Sequence, residues 1–164
     1  MAIAKALRLE LAAAQSVAIG LHEMIAVTEE VTPIHVPRAP SHCRSLVAWQ
    51  TQLLPLFDPL EWCGENDTNA KRDSAKFYAI VSYETGSAEG FALGCIALRS
   101  FPAAVDVDDA NACMLPSQRW QTIAHACFLD GDAMIPILDL AAMFGRPMEQ
   151  LAPAEVNPFE ALAA

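Results

Sequence analysis

Two pairings of imidazole with thiol are the first places to look for chemistry in this chain: His42-Cys43 and His125-x-Cys127. Both side-chain types ligate zinc, through a ring nitrogen or a thiolate sulfur. A thiol beside an imidazole is also the minimum for a nucleophilic pair. On a strand, His125 and Cys127 would share one face, as any residues two apart do. Neither pairing is extended, because the sequence holds no Cys-x-x-Cys and no His-x-x-x-His run. Asp106, Asp108 and Asp109 form an acidic cluster, but the loop glycine and closing glutamate of a calcium loop are missing, so it reads as a solvated turn. The seven glycines are dispersed and build no phosphate-cradling loop. Asp58 and Asp139 each follow a short apolar run and precede a short helical pattern, which makes them helix caps rather than catalytic acids. Losing such a cap costs about 1 kcal/mol. The residues thus predict no cofactor. A small β-barrel enzyme with a Cys/His or metal site remains as the alternative reading.

Composition narrows the class. The 164 residues carry 10 Lys and Arg against 20 Asp and Glu, for a formal net charge of −10. Binding to a phosphate backbone needs clustered cations, so nucleic acid is not an expected partner. Hydrophobic residues make up 54% and charged ones 18%, below the roughly 25% charged of an average soluble domain. Such a chain folds, and it either buries its apolar residues efficiently or keeps some for a partner. The stretch Leu11 to Ile19 is interrupted by Gln15 and Ser16, too short and too polar to span a bilayer. Arg8 and Glu10 interrupt what would be the core of a secretory signal. Five cysteines, an odd number without tight spacing, read as reduced, buried, small hydrophobes of a cytoplasmic protein.

The elements that must position these residues come in two related sets. Residues 53–64 (LLPLFDPLEWCG) match residues 134–145 (MIPILDLAAMFG) at an offset of 81, aligning Pro55 with Pro136, Asp58 with Asp139 and Gly64 with Gly145. Upstream, VAIG at 17–20 resembles FALG at 91–94. Each block reads as a buried strand, an aspartate cap, one or two helical turns and a terminating glycine. Pro59 suits the first helical position, and Glu61 is placed to complete a capping box. Pro55 predicts an edge or bulged strand. Further strands are expected around Leu7 to Leu11 and at 16–21, 25–30, 76–83, 90–98, 103–107 and 122–129, with a hairpin turn at Asp130-Gly131-Asp132. The polar run Gly64 to Ala75 is the natural connector. Many short strands with frequent turns point to a mostly β chain built from small barrels.

Four stretches resemble the CheW-like adaptor family of bacterial chemosensory signalling: VAIGLHEMIAVTEEVTPIHVPRAP (17–40), SLVAWQTQLLPLFDPLEWCG (45–64), FALGCIALRSFPAAVDV (91–107) and FLDGDAMIPILDLAAMFG (128–145). The resemblance covers roughly residues 5–146. It implies a single domain of two intertwined five-stranded β-barrel subdomains, at about 5–64 and 76–146 around a linker at 65–75, with a hydrophobic groove between them and a tail at 147–164. It implies no catalytic residue. The implied partners are a CheA-type histidine kinase, a methyl-accepting chemoreceptor and other CheW-like adaptors. The family's Asn-Leu-Arg-Gly sequence is replaced here by Ala48, Trp49, Gln50 and Thr51, a departure that suits an accessory adaptor of a type IV pilus (twitching motility) system. Thr51, counted onto the turn glycine, would be costly at a positive φ.

Interface candidates follow from that loop. They are Trp49, Gln50 and Gln52, together with Leu98 near the matching place in the second half. Trp49 is open to two readings, a core residue filling the barrel or an interface anchor. Trp62 reads as core, and Trp120 fits either role. The loop at 32–40 carries three prolines and is stiffened by their fixed φ. In the tail, Phe159 and Leu162 are the residues that would dock it.

Overall fold

A computed structural model describes residues 3–64, 75–86 and 90–144. The connector expected at 65–75 lies almost wholly outside the described residues, as do Gly145, Pro147 and the tail. The first half contains β1 (Ile3–Ala12), β2 (Gln15–Gly20), β3 (Met24–Thr28), β4 (Ile34–His35), β5 (Ser45–Trp49), β6 (Gln52–Leu56) and the one-turn helix α1 (Pro59–Cys63). The second half repeats the order with β7 (Phe77–Glu84), β8 (Phe91–Leu98), β9 (Ala103–Asp108), β10 (Ala112–Cys113), β11 (Ala124–Asp130), β12 (Ala133–Leu138) and α2 (Leu140–Phe144). Short 3-10 turns at Leu21–Glu23, Asp109–Asn111 and Gln118–Thr122 complete the described chain.

The strands form two six-stranded sheets, ordered β10-β11-β12-β2-β1-β9 and β3-β7-β8-β6-β5-β4. Each sheet therefore takes the opening hairpin of one half and the four following strands of the other. That exchange is what intertwines the two barrel-like units. The sixth strand beyond the expected five is in each case a two-residue ladder, β4 or β10, too short to leave any periodicity in sequence.

The duplication holds in backbone detail. Asp58 Oδ1 accepts from the Glu61 N–H at 3.2 Å, and Asp139 Oδ1 accepts from the Ala142 N–H at 3.0 Å, so both aspartates cap helices. The Asp58 N–H, which a capping box would give to Glu61, donates to the His42 carbonyl at 2.7 Å. Asp139 repeats this with the Ile123 carbonyl at 2.8 Å, again at an offset of 81. Gly64 ends α1 at φ 70°. The expectation of an edge or a bulge at Pro55 is overturned, because β6 lies between β5 and β8. The parallel ladder to β8 registers at Leu56↔Cys95 and continues through the Phe57 N–H to the Cys95 carbonyl at 3.0 Å. It begins just past the proline, so the missing N–H is not needed. Pro136 and the Ile137↔Ala18 register repeat the device.

Three clusters divide the core. Ala6, Ala18, Phe128 and Ile135 fill the inside of the first unit, and Val47, Leu54, Ile80 and Cys95 that of the second. The largest cluster lies between the sheets, where Leu9, Val17 and Ile19 meet Ala79, Val81, Ile96 and Leu98, with α1 and α2 closing it. The space expected to hold a hydrophobic groove is thus occupied at these positions by buried side chains. Alternation along β2, β7 and β8 sends successive apolar residues to opposite clusters, which explains why these strands are apolar on both faces.

His42 sits within this packing, 2% exposed, with its ring 4.8 Å from Trp62 and 5.3 Å from Phe57. Its Nε2 is buried without a hydrogen-bond partner among the described residues. Burial lowers its pKa from the ordinary value against the opposing pull of Asp58 and Glu61. A histidine held neutral in the fold contributes stability that is present above its unfolded pKa, about 6.5, and lost as pH falls through the lower folded value. Thermal melts from pH 7 to pH 5 are expected to show a smaller loss of stability for His42→Phe than for the parent chain. Equal slopes would show that His42 does not titrate in this window.

Candidate functional site

The β5–β6 hairpin closes on the Trp49↔Gln52 pair, leaving Gln50 and Thr51 as its two-residue turn. Gln50 carries φ 52°, whereas Thr51 is not in the left-handed region. The expectation that Thr51 bears the strain is therefore corrected by one residue. A positive φ at the first turn position is the pattern that glycine serves in a hairpin. The second half places Gly131 there, at φ 62° and an offset of 81. Gln50 thus holds a glycine conformation at an exposed tip. Strain of this kind persists where the surrounding structure enforces it and gathers at functional places.

Trp49 is half-buried and packs against the Val47, Leu54, Ile80 and Cys95 cluster, inside its own unit rather than between the two sheets. Gln50 and Gln52 are exposed beside it. Leu98 is corrected as an interface candidate: at 1% exposure it belongs to the core between the sheets, and its side chain has no surface to offer.

Because Val47 and Leu54 point inward, the residues on either side of each point outward. The register sets Ala48 opposite Leu53 and Leu46 opposite Pro55, with Ile34 of β4 opposite Leu46. This outer face is apolar along its length. Leu53 is 60% exposed and Ile34 49%, and Ala48 is exposed between them. Leu53 was legible only as part of an unbroken apolar run, so its outward direction needed the register. Beside this face, the proline-containing loop turns at Val36-Pro37-Arg38-Ala39, where the Ala39 N–H reaches the Val36 carbonyl at 3.3 Å. Pro37 and a left-handed Arg38 at φ 64° make it a type II turn.

The groups considered for catalysis do not converge. A register shift between Ala124 and Ala126 places His125 at a bulge in β11. The alternation breaks there, leaving His125 exposed and Cys127 buried, so the two do not share a face as expected. Cys43 is 4% exposed, and burial raises its pKa. Burial likewise pushes Cys95 up to about 12. Buried thiols with raised pKa values are poor nucleophiles. Among the described residues, no group of three or more His, Cys, Asp or Glu side chains could hold a metal ion. What this surface offers is apolar area on a rigid hairpin, bordered by polar tips.

No family model matches the sequence, and no curated protein matches it. Among solved structures, the fold is similar to that of the scaffolding protein TtCheW from Thermoanaerobacter tengcongensis, with a TM-score of 0.67 and 16% identity over 88% of this chain and 97% of that one. The chain has the CheW-like fold.

Proposed function

We propose that this chain is a non-catalytic chemosensory adaptor that joins the cytoplasmic tip of a methyl-accepting chemoreceptor to a CheA-type histidine kinase, in chemotaxis or in pilus-based twitching motility. Its working unit is the span 5–146, acting in the cytoplasm. The observation that carries the reading is the apolar outer face of Ile34, Ala48 and Leu53, exposed on a CheW-like fold beside the strained Gln50 turn. Residues that cost nothing to bury and are already held rigid make an economical docking surface. Among the described residues, no helix is long and apolar enough to cross a membrane.

Pull-downs against the CheA-type kinases and receptor tips of the same cell test the proposal, with Leu53→Asp as the diagnostic variant. Leu53 is largely exposed already, so a charge there should leave the melting temperature within about 2 °C while weakening kinase or receptor capture tenfold or more. Trp49→Ala is expected to weaken capture as well, but with a loss of stability, because its ring also fills the barrel. Capture that ignores Leu53→Asp would move the interface elsewhere. A folded chain that captures neither kinase nor receptor would overturn the adaptor reading. Capture of another CheW-like adaptor alone would restrict it to a scaffold without kinase coupling.

A further inference from the structure

Cys113 and Cys127 are direct cross-strand partners in the β10–β11 ladder. Their sulfurs lie 3.2 Å apart, with both thiols free. Partners in an antiparallel ladder have Cα atoms about 4.5–5.5 Å apart, inside the roughly 4.4–6.8 Å that a disulfide spans. The two thiols are also unequal: Cys127 is 2% exposed, whereas Cys113 is only half-buried at the edge of the sheet. The remaining cysteines lie apart from this pair in the fold, in the segment before β5, in α1 and in β8.

We propose that Cys113 and Cys127 form a reversible dithiol–disulfide site that responds to low-molecular-weight disulfides. Cys113, the more accessible of the two, gives its proton to solvent and its sulfur attacks one sulfur of the small disulfide. That S–S bond breaks, one small thiolate leaves, and a mixed disulfide forms on Cys113. Cys127 then gives its proton to solvent, its sulfur attacks the Cys113 sulfur, and the second small thiolate leaves. Two protein thiols are oxidised to one disulfide, and one small disulfide is reduced to two thiols. Burial, and then the neighbouring Cys113, push the Cys127 thiol up to about 12. Its attack is therefore slow per encounter, and the 3.2 Å contact supplies the compensating proximity.

The bond would fasten an edge strand that otherwise pairs over two residues, Ala112↔Phe128 and Cys113↔Cys127. The segment between the two cysteines carries Met114, 85% exposed, and the buried Trp120. Oxidation state thus sets how firmly that segment is tied to the sheet.

The full chain is incubated in oxidised glutathione, digested without reduction and mapped by mass spectrometry, with thermal melts alongside. The expected result is loss of two hydrogens from the intact mass, a cross-linked peptide containing Cys113 and Cys127, reversal by dithiothreitol, and a melting temperature raised by up to roughly 10 °C. Cys113→Ser should abolish the cross-link and the shift. A glutathione adduct that stays on Cys113 would overturn the proposal. So would a cross-link to Cys43, Cys63 or Cys95, or a folded chain left unmodified where free glutathione itself is oxidised. The mapping on the parent chain decides the matter even if the variant fails to fold.

Discussion

Replacing Trp120 with alanine is expected to lower the unfolding free energy by about 3–5 kcal/mol. That is a large share of the ~5–15 kcal/mol a domain commands. The indole is 2% exposed and belongs to the core between the sheets, with Ile123, Leu138, Leu140 and Met143 in the same cluster. Its backbone is fixed in the Gln118–Thr122 turn by the Trp120 N–H on the Ser117 carbonyl at 3.2 Å and the Ile123 N–H on the Trp120 carbonyl at 3.1 Å. The same turn latches α1. Thr122 Oγ1 accepts from Trp62 Nε1 at 2.8 Å, and Arg119 donates to the Trp62 carbonyl at 3.2 Å. The turn packs against β11 and α1, and a hydrogen-bonded ladder does not collapse into a void. Denaturant titration should show a lower midpoint at unchanged slope, with Trp120→Phe retaining most of the stability. A loss below about 1 kcal/mol would show that the indole fills no such space.

Gly94→Ala is expected to cost roughly 1–3 kcal/mol, through overpacking rather than backbone conformation. Gly94 is not at a positive φ. A Cβ built there would stand 2.6 Å from Cε1 and Cζ of Phe144, too close for any ordinary contact. The ring has little room to yield, because it stacks on Tyr83 at 5.2 Å and meets Phe57 edge-on at 5.7 Å. Its displacement would loosen α2. Phe144→Leu in the Gly94→Ala background should therefore recover part of the loss, a coupling of about 0.5 kcal/mol or more in a double-mutant cycle. Strict additivity would show that the ring is not the obstacle. Gly20, its counterpart by sequence likeness, meets the far ends of the His22 and Glu23 side chains at 2.8 Å and beyond rather than a packed ring, so alanine there should be tolerated better.

The sequence carried much of this architecture, for identifiable reasons. The repeated Pro-x-x-Asp blocks located both caps, because an N-cap aspartate with proline or small residues behind it is a local signal that tertiary context rarely overrides. Alternation and turn residues located the long strands, most within two residues of their observed bounds. The pairing partners were not legible. Nothing local to β1 and β2 tells that they lie beside β9 and β12, which come from the other half of the chain. The site was legible only in part. The turn departure drew attention to Trp49, Gln50 and Gln52, which do lie together on the hairpin. Alignment with the family's Asn-Leu-Arg-Gly sequence puts the costly position at Thr51, while the ladder register and the positive φ put it at Gln50. Analogy of position points to Leu98, but it says nothing about which face of a strand is covered. Ile34 lay hidden in a proline-containing loop whose two-residue ladder has no period to detect.

The exchange of hairpins between the sheets dictates when this chain can acquire structure. The β1–β9 ladder pairs Ile3 with Asp108, and the β12–β2 ladder pairs Ile137 with Ala18. The sheet that contains β7 and β8 has all its strands once Leu98 is made, but the sheet that contains β1 and β2 waits for β12, which ends at Leu138. Until then β1 and β2 keep only their own hairpin, with the ladders to β9 and β12 still unmade. Closing such long loops comes before the contacts that reward it. The sheet built on β1 and β2 should accordingly close last and slowly, and the chain's vulnerability to mispairing lies in the interval of synthesis rather than in the finished molecule.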